Sequence, residues 1–486
     1  MTSTITSSSV LQSVRDPSIF ADVPSEEAPV ASTASRAAPE RQLVEWLARA
    51  LGRDVCAVRR SSHVKHGGLS GSFHFLRVEL GASGVGGCDD DEASRAPKAI
   101  RDAALSSLEL AVKVVPEAAL SRSVGLGCAR EGLFYRHLGP SLEVAGVPRA
   151  YAAAGLMETG ESVVCMDCLS GAVPIGVFFG PGNPNNWGAS AEDVMRTAGG
   201  IIGGPHAHEW DATTLSAEAF RLYARLHGAH WGEAASLGAR MPWLRGAAWA
   251  VGDGGHDGEA TWQRAMGMAA DAWAALSAAR REGNSVIEWD AHLVACLDVS
   301  FSKAGDYAAF LSEQSGRPLT LVHGDCHPHN VLLAAAEAAP SAARPGESKG
   351  CEDGGEVTGR GCWLRLIDFE MVGLGSGAQE LGQFLISHTE PALRRATERE
   401  LVRAYYDELR SVLCARGLAA DANAYTFEAC WEEYVAGGAG RWAWFVAYLV
   451  HAKSDSPKLG QYFHDQLAAF LRDHVSDHLL TPMPRV

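Results

Sequence analysis

The chain has 486 residues, of which 47% are hydrophobic and 21% are charged, proportions typical of globular proteins with a sizeable buried core. Its formal net charge is −16 at pH 7, and it contains no basic run of the kind that follows a phosphate backbone, so nucleic acid is not expected as a partner. The acidity would suit a cationic small molecule, although an acidic surface that keeps the protein in solution explains it more simply.

Eleven cysteines are scattered along the chain without the compact spacing of a disulfide framework, which predicts reduced thiols and a cytoplasmic protein. No segment approaches the roughly 18 consecutive apolar residues of a membrane span, and the N-terminus lacks the apolar core of a secretory signal. Residues 1–15 are rich in Ser and Thr and free of acids, which is a weak sign of an organelle transit peptide because only one Arg accompanies them. The composition leaves the oligomeric state open.

The first 38 residues are predicted to be a tail outside the folded domain. They are dominated by Ser, Ala, Thr, Pro and Glu and carry too little apolar periodicity to offset the entropy of ordering, so disorder is expected. The predicted elements that follow are a helix at 42–51, strands at 55–65 and 72–80 around a glycine-rich turn, a strand at 108–115, a helix at 129–138 and a strand at 162–167. Residues 81–107 interrupt this series with glycines and acids, which predicts a flexible insertion.

The second half of the chain is predicted to be mainly helical. Apolar residues recur at helical spacing near 213–234, 260–282, 303–314, 394–415, 425–450 and 459–478. Two short strands, at 319–322 and 363–367, break this helical half, and low-complexity sequence at 334–361 predicts a second flexible insertion. The predicted organisation is an N-terminal lobe at 39–166 and a C-terminal lobe at 167–486.

A polar segment follows each of the two strands predicted in the C-terminal half. The first, His-Gly-Asp at 323–325, is followed five residues later by Asn330, and the second is Asp-Phe-Glu at 368–370. Phosphoryl transfer needs a carboxylate that orients and deprotonates the attacking hydroxyl group, and it needs oxygen ligands for Mg²⁺. Asp325 suits the first task, and Asn330 and Asp368 suit the second. Ordinary strand-end turns also favour Asp, Gly and Asn, but two such segments in this order favour the catalytic interpretation.

These segments resemble the two signature motifs of the aminoglycoside phosphotransferase and choline kinase-like superfamily, His-Gly-Asp-x-His-x-x-Asn at 323–330 and Ile-Asp-Phe-Glu at 367–370. The resemblance implies an α+β, protein kinase-like fold with two lobes, and an enzyme that transfers the γ-phosphate of ATP to a hydroxyl group of a small molecule. It implies that Asp325 is the catalytic base and that His323 and His327 shape its loop. The implied Mg²⁺ ligands are Asn330, Asp368 and Glu370. Farther on, Gly-Ala-Gln-Glu-Leu-Gly at 377–382 departs from the family's common Gly-x-x-x-Asp-Leu-Ala.

The resemblance also suggests nucleotide-binding groups in the N-terminal half. Lys113 resembles the family's phosphate-binding lysine and Glu131 the acid that holds it, although a strand Lys or a helix Glu is more often simply exposed. The adenine is expected to hydrogen-bond the backbone near Met166 and Cys168. Backbone N–H groups of the glycine-rich turn could cover the phosphates, and a plain β-turn explains that turn equally well. The residues assigned to the turn's phosphate contact are Ser70, Gly71 and Ser72.

Three other patterns admit a ligand interpretation. Cys165 and Cys168 could suggest zinc, but no second cysteine pair lies at zinc-ribbon spacing. Trp442 and Trp444 could line a cage for a quaternary ammonium group, whereas packing in a helical core is the simpler interpretation. Several other histidines lack the spacing of a His-Glu-x-x-His site, and most of them are interpreted as structural or exposed. They are His206, His208, His227, His230 and His329.

An enzyme is therefore preferred, with a catalytically silent ATP-binding or scaffold protein as the alternative. A protein kinase is disfavoured, because the loop has His-Gly-Asp rather than His-Arg-Asp and no Ala-Pro-Glu segment follows the second motif. The acceptor stays open among choline, ethanolamine, an aminoglycoside, a sugar, homoserine and a sterol.

Overall fold

The computed structural model describes residues 38–61, 72–81, 106–169, 171–180, 183–185, 211–248, 256–334, 363–452 and 456–474, together with Leu11, Phe20 and Val23. The chain divides into two compact units, the first of residues 1–143 and 148–170 and the second of residues 144–147 and 171–486. Nearly all of the two predicted insertions, and Ser70, Gly71, His206 and His208, lie outside the described residues.

A five-stranded antiparallel sheet forms the centre of the first unit. Its strands are β1 (Val55–Arg60), β2 (Ser72–Leu80), β3 (Ser106–Val114), β4 (Ala150–Gly155) and β5 (Ser162–Asp167), and their order is β1-β2-β3-β5-β4. β3 is the middle strand, and Lys113 on it lies opposite Phe73 of β2 and Val164 of β5. The lysine that the sequence suggested for phosphate binding is therefore in the centre of a sheet, not on an exposed edge strand.

The helices of the first unit are α1 (Ala38–Leu51), α2 (Leu120–Leu126) and α3 (Arg130–His137). The apolar side of α1, including Leu43 and Trp46, is buried in the core beneath the sheet. Leu11, Phe20 and Val23 of the predicted tail are buried in the same core, and the Phe20 ring stacks on His74 with centroids 4.2 Å apart. The sequence does not predict this burial, because the three apolar residues are isolated in a segment rich in Ser and Ala.

α3 packs unusually closely on β4. A Cβ atom at Gly132 would lie 2.0 Å from the carbonyl oxygen of Ala154, so a residue without a side chain is needed at this crossing. The close approach holds the first turn of α3, and with it Glu131, against the sheet. Gly132 was not singled out in the sequence, because a glycine inside a helix is by itself only a sign of weak helix propensity.

The second unit is mainly helical. Its described helices are α4 (Ala212–Ala229), α5 (Ala234–Arg240), α6 (His256–Arg281), α7 (Ala291–Ser302), α8 (Tyr307–Ser315), α9 (Gly377–His388), α10 (Pro391–Ala415), α11 (Ala419–Ala424), α12 (Phe427–Ala452) and α13 (Pro457–His474). Short strands accompany them: β6 (Val173–Pro174), β7 (Leu319–Val322), β8 (Val331–Ala334), β9 (Trp363–Leu366) and β10 (Gly373–Ser376). β7 pairs with β10, and β6, β8 and β9 form a second antiparallel sheet.

The two strands predicted in this half are present as β7 and β9, but three further strands, β6, β8 and β10, were not predicted. These additional strands have two to four residues each, too few for an alternating pattern to be visible.

α9 is the central helix of this unit and was also not predicted. All of its residues are buried, so its sequence lacks the alternation of apolar and polar faces by which surface helices are recognised. It crosses α12 at close range, where a Cβ atom at Gly437 would lie 2.0 Å from the backbone oxygen of Gln379. The crossing brings polar residues of both helices to the loop after β7.

The predicted fold class is confirmed: an antiparallel sheet with helices in the N-terminal part and a mainly helical C-terminal region. Among the helices that the structure describes, none combines the length and the apolar character needed to cross a membrane.

Candidate functional site

The loop between β7 and β8 carries the first motif of the second unit. β7 is buried along most of its length, and the polar segment begins where the strand ends. The side chain of Asp325 is 17% exposed, whereas His323 is completely buried. The loop thus combines a partly accessible carboxylate, that of Asp325, with a completely buried histidine.

Two side chains contact the Asp325 carboxylate, one at each oxygen. Nε2 of Gln383, on α9, donates to Oδ1 at 2.9 Å, and Nε2 of His327 lies 3.5 Å from Oδ2. Nδ1 of His327 accepts the backbone N–H of His329, which leaves the proton of a neutral ring on Nε2, toward the carboxylate. One oxygen is therefore held by a short hydrogen bond, and the other has a longer and weaker contact.

Asn330 closes the loop from the other end. Its amide nitrogen donates to the backbone oxygen of Asp325 at 3.0 Å, so the amide oxygen is the atom of this side chain that can accept a hydrogen bond or bind a cation. The backbone oxygen of Asn330 accepts the N–H of Ile367, also at 3.0 Å. This bond places Asn330 beside the end of β9, where the second motif begins.

His323 connects the two motifs. Its Nδ1 accepts the N–H of Asp325 at 3.3 Å, and its Nε2 donates to the carbonyl oxygen of Ile367 at 2.9 Å. Burial lowers the pKa of His323, although the carboxylates of Glu380 and Asp325 act in the opposite direction. A neutral imidazole protonated on Nε2 satisfies both bonds, so His323 fixes the loop geometry as a structural group.

The second motif follows β9 in a strained conformation. Asp368 has φ 67° and ψ 60°, and among the described residues it is the one non-glycine residue with a positive φ. Such a conformation costs an L-residue about 1–2 kcal/mol. Proteins usually keep backbone strain of this kind at functional sites, where it fixes the direction of a side chain. The next residue, Phe369, is fully buried with its ring 4.6 Å from that of His323, while Asp368 and Glu370 are partly exposed.

A buried carboxylate that the sequence interpretation assigned no role holds the loop backbone. Glu380 of α9 is fully buried and accepts the N–H groups of His323 at 3.0 Å and Gly324 at 2.8 Å. Nε2 of His227 lies 2.6 Å from the same carboxylate and donates to it, while the Tyr405 hydroxyl lies 2.9 Å from Nδ1 of His227. His227, interpreted as structural, is therefore part of the support of the loop.

The charge on Glu380 is maintained despite its burial. Burial raises the pKa of its carboxyl group, but the hydrogen bond and charge of His227, together with the charge of Arg441, outweigh burial and hold the pKa below its ordinary value. The sequence signal was an acidic residue at the place where the segment 377–382 departs from the family pattern.

Arg441 of α12 also supports the loop backbone, and the sequence interpretation assigned it no role. Its side chain is buried, and Nη2 donates to the carbonyl oxygen of Gly324 at 3.1 Å. The neighbouring Trp442 and Trp444 are 1% and 8% exposed, and the Trp442 ring packs on Phe463. This burial agrees with the helical-core interpretation and gives no support to a cage for a quaternary ammonium group.

In the first unit, Lys113 and Glu131 form a buried ion pair, as the sequence suggested. Nζ of Lys113 lies 2.6 Å from Oε2 of Glu131, and the two side chains are 7% and 3% exposed. The ammonium group also lies 5.7 Å from the ring centre of Phe73. The charge of Lys113 is thus held at a defined point on the middle strand of the sheet.

The other groups expected to bind nucleotide lie on neighbouring strands. Ser72 is the first residue of β2 and pairs with Val114. Met166 pairs with Ala111, and the N–H of Cys168 donates to the Glu109 carbonyl at 3.1 Å, so an adenine contact at Cys168 would use its carbonyl group.

The zinc interpretation of Cys165 and Cys168 gains no support. Cys165 is fully buried within β5, and burial raises the pKa of its thiol, which disfavours the thiolate that zinc requires.

The second motif lies in a part of the chain that matches a known family. A family model described as the Ecdysteroid kinase-like family matches residues 358–417. The similarity is limited to this segment of the chain. The predicted resemblance to a kinase-like superfamily is confirmed for these residues, and a comparison with curated proteins gave no match.

Two solved structures are similar to the chain at low identity. One is a protein from Ralstonia eutropha JMP134 proposed to be an aminoglycoside phosphotransferase, with 12% identity, a TM-score of 0.38, and coverage of 89% of this chain and 98% of that one. The other is a thermostable mutant of aminoglycoside phosphotransferase APH(4)-Ia in complex with ADP and hygromycin B, with 10% identity, a TM-score of 0.33, and coverage of 89% and 99%. These scores are too low for either likeness to decide the fold or the activity.

Proposed function

We propose that this protein is an ATP-dependent phosphotransferase that moves the γ-phosphate to a hydroxyl group of a small molecule. The observation that carries the proposal is Asp325, a partly exposed carboxylate whose loop is held by hydrogen bonds with His323, Asn330 and α9. A rigid carboxylate of this kind can align an acceptor hydroxyl for in-line attack and accept its proton, which is the main task of a protein group in phosphoryl transfer.

The residues of the second motif fit a Mg²⁺ site by their chemistry. The amide oxygen of Asn330 and the carboxylates of Asp368 and Glu370 are hard oxygen donors, and the bond from Ile367 to Asn330 sets the two motifs side by side. The strained backbone at Asp368 is consistent with an aimed carboxylate. When bound, Mg²⁺ would neutralise charge on the phosphates of ATP.

We assign Lys113 to the α- and β-phosphates of ATP, with Glu131 holding its ammonium group in place. Backbone groups near Met166 and Cys168 are assigned to the adenine. The description of the matching family adds a steroid alcohol to the acceptors worth testing, beside amino alcohols, aminoglycosides and sugars.

The test is ATP consumption in the presence of Mg²⁺ across that panel of acceptors, with the variant Asp325→Asn. Loss of the base is expected to lower kcat by about 10²–10⁴-fold, whereas the thermal stabilisation by Mg-ATP should persist because the nucleotide contacts are elsewhere. Asp407→Asn, an exposed aspartate on α10, is the matched control and should have wild-type activity. Near-native turnover by Asp325→Asn would rule out Asp325 as the base. Stabilisation by Mg-ATP with no turnover on any acceptor would favour the silent ATP-binding alternative.

A further inference from the structure

Gln383 contacts the predicted base directly. Its amide nitrogen lies 2.9 Å from Oδ1 of Asp325, and its side chain is buried, with 5% of the residue exposed. It lies three residues after Glu380 on α9, so both side chains are on the same side of the helix. α9 therefore contacts the loop twice, through Glu380 at the backbone and through Gln383 at the carboxylate.

We propose that Gln383 is a positioning residue for phosphoryl transfer, an inference that rests on the function proposed above. By donating to Oδ1 it fixes the rotation of the carboxylate and directs Oδ2 toward the acceptor hydroxyl. These separate roles of the two oxygens agree with the long contact of 3.5 Å between Oδ2 and His327. That contact is weaker than the bond to Oδ1, so the hydroxyl group of the acceptor substrate can replace it.

An amide is chemically suited to this position. It donates a hydrogen bond without carrying charge, so it does not form an ion pair that would compete with the acceptor for the carboxylate. It cannot take up the proton that Asp325 removes from the acceptor. The buried position on a helix that crosses α12 at close range restricts the amide to few orientations.

The same helix offers a matched control. Gln379 is the same residue type, lies one turn earlier and is also 5% exposed, but its amide nitrogen has no hydrogen-bond partner among the described residues. Replacing Gln379 by Leu removes a buried glutamine of equal size without touching Asp325. It therefore measures what the loss of a polar side chain in α9 does by itself.

The experiment compares Gln383→Leu, Gln383→Glu and Gln379→Leu in steady-state kinetics. Loss of the donor is expected to lower kcat by about 10–100-fold with Gln383→Leu, because misplacement of a reacting group by about 1 Å can cost that much. KM for ATP and for the acceptor should change less than about 2-fold. Gln383→Glu, which keeps the shape but cannot donate when ionised, should lose at least as much, and Gln379→Leu should keep wild-type kcat.

Equal losses in Gln383→Leu and Gln379→Leu, or a raised KM with unchanged kcat, would overturn the proposal. Crystal structures of the wild type and of Gln383→Leu provide a readout that does not depend on activity. The Asp325 carboxylate should have one orientation in the wild type and a rotated or divided one in the variant. If the wild type transfers no phosphate to any acceptor, the proposed function fails, and an unchanged carboxylate in Gln383→Leu would separately disprove the positioning.

Discussion

Each unit contains a buried glutamate that holds a functional group, and the two do so differently. Glu131 of the first unit is bound by a side-chain cation, Lys113, at 2.6 Å. Glu380 of the second unit is bound by His227 and by two backbone N–H groups. The ammonium group of a lysine lies at the end of a long side chain and can also contact a phosphate, whereas the positions of backbone donors are fixed by the fold. The first arrangement suits binding of a ligand, and the second suits the rigid support of a catalytic loop.

The largest effect is expected where the fixed arrangement is broken. Glu380→Gln replaces one acceptor oxygen by an NH₂ group that faces N–H donors, and should lower the free energy of unfolding by about 5 kcal/mol, near the upper end for disrupting a buried charged pair. Chemical denaturation measures this. Glu428→Gln, an exposed residue of α12, is the control and should cost almost nothing. A loss below about 1 kcal/mol for Glu380→Gln would contradict a supporting role for this carboxylate.

A smaller loss in the free energy of unfolding is expected from breaking the side-chain ion pair in the first unit. Glu131→Gln leaves the ammonium group of Lys113 without its counter-charge and should cost about 3 kcal/mol, less than Glu380→Gln because an amide oxygen still accepts from the ammonium group. Binding of Mg-ATP should weaken as well, as measured by calorimetry.

A double-mutant cycle sharpens the comparison. If Lys113 and Glu131 act as a pair, the cost of Lys113→Met and Glu131→Gln together should be smaller than the sum of the single costs. Additive costs would mean that the two residues are not coupled.

A third buried carboxyl group shows what decides the sign of a pKa shift. Burial raises the pKa of Glu433, on α12, to about 7, and the hydroxyl groups of Ser376 and Tyr425 and the charge of Arg317 offset burial only in part. Glu380 is equally buried, but His227 and further charges hold its pKa below the ordinary value. Charged donors therefore overcome desolvation where hydroxyl groups do not.

This contrast predicts a pH dependence of stability. Because the folded protein binds the Glu433 proton more tightly than the unfolded chain does, the stabilisation is complete below about pH 4.5 and is lost as the pH rises through about 7. The free energy of unfolding should include a decrease of up to about 3 kcal/mol over this range. Glu433→Gln should remove this decrease, and Glu428→Gln, an exposed residue of the same helix, should retain it. An unchanged pH dependence in Glu433→Gln would disprove the assignment.

The parts of the site that sequence reasoning predicted are local or on adjacent elements. Asp325 and Asn330 lie on one loop. Lys113 and Glu131 lie on β3 and α3, which are close together in the chain, so their proximity depends on short-range geometry. The motifs also identified Asp368, but not the left-handed backbone that aims it. A dihedral angle of this kind depends on how the following residues pack, so it cannot be predicted from the residue type.

The supports of the loop were not predicted because they are distant in the chain. Glu380, Gln383 and Arg441 contact the loop across 56, 58 and 117 residues. Glu380 and Gln383 lie on α9, which is buried on all sides and lacks the periodicity by which a helix is recognised in a sequence. Arg441 lies on α12, whose periodicity predicts a helix but does not tell which distant loop a buried polar side chain contacts.

The amino-acid sequence by itself determined which groups the proposed phosphate chemistry would use, because motif spacing after apolar strands is encoded locally. It also determined the α+β class, because periodicity distinguishes strands from amphipathic helices. Only the tertiary structure decided which buried polar residues hold Asp325 in place. Desolvation makes a buried charge or amide costly unless partners are at hydrogen-bond distance, and those partners are brought together by the crossing of α9 and α12 rather than by any spacing along the chain.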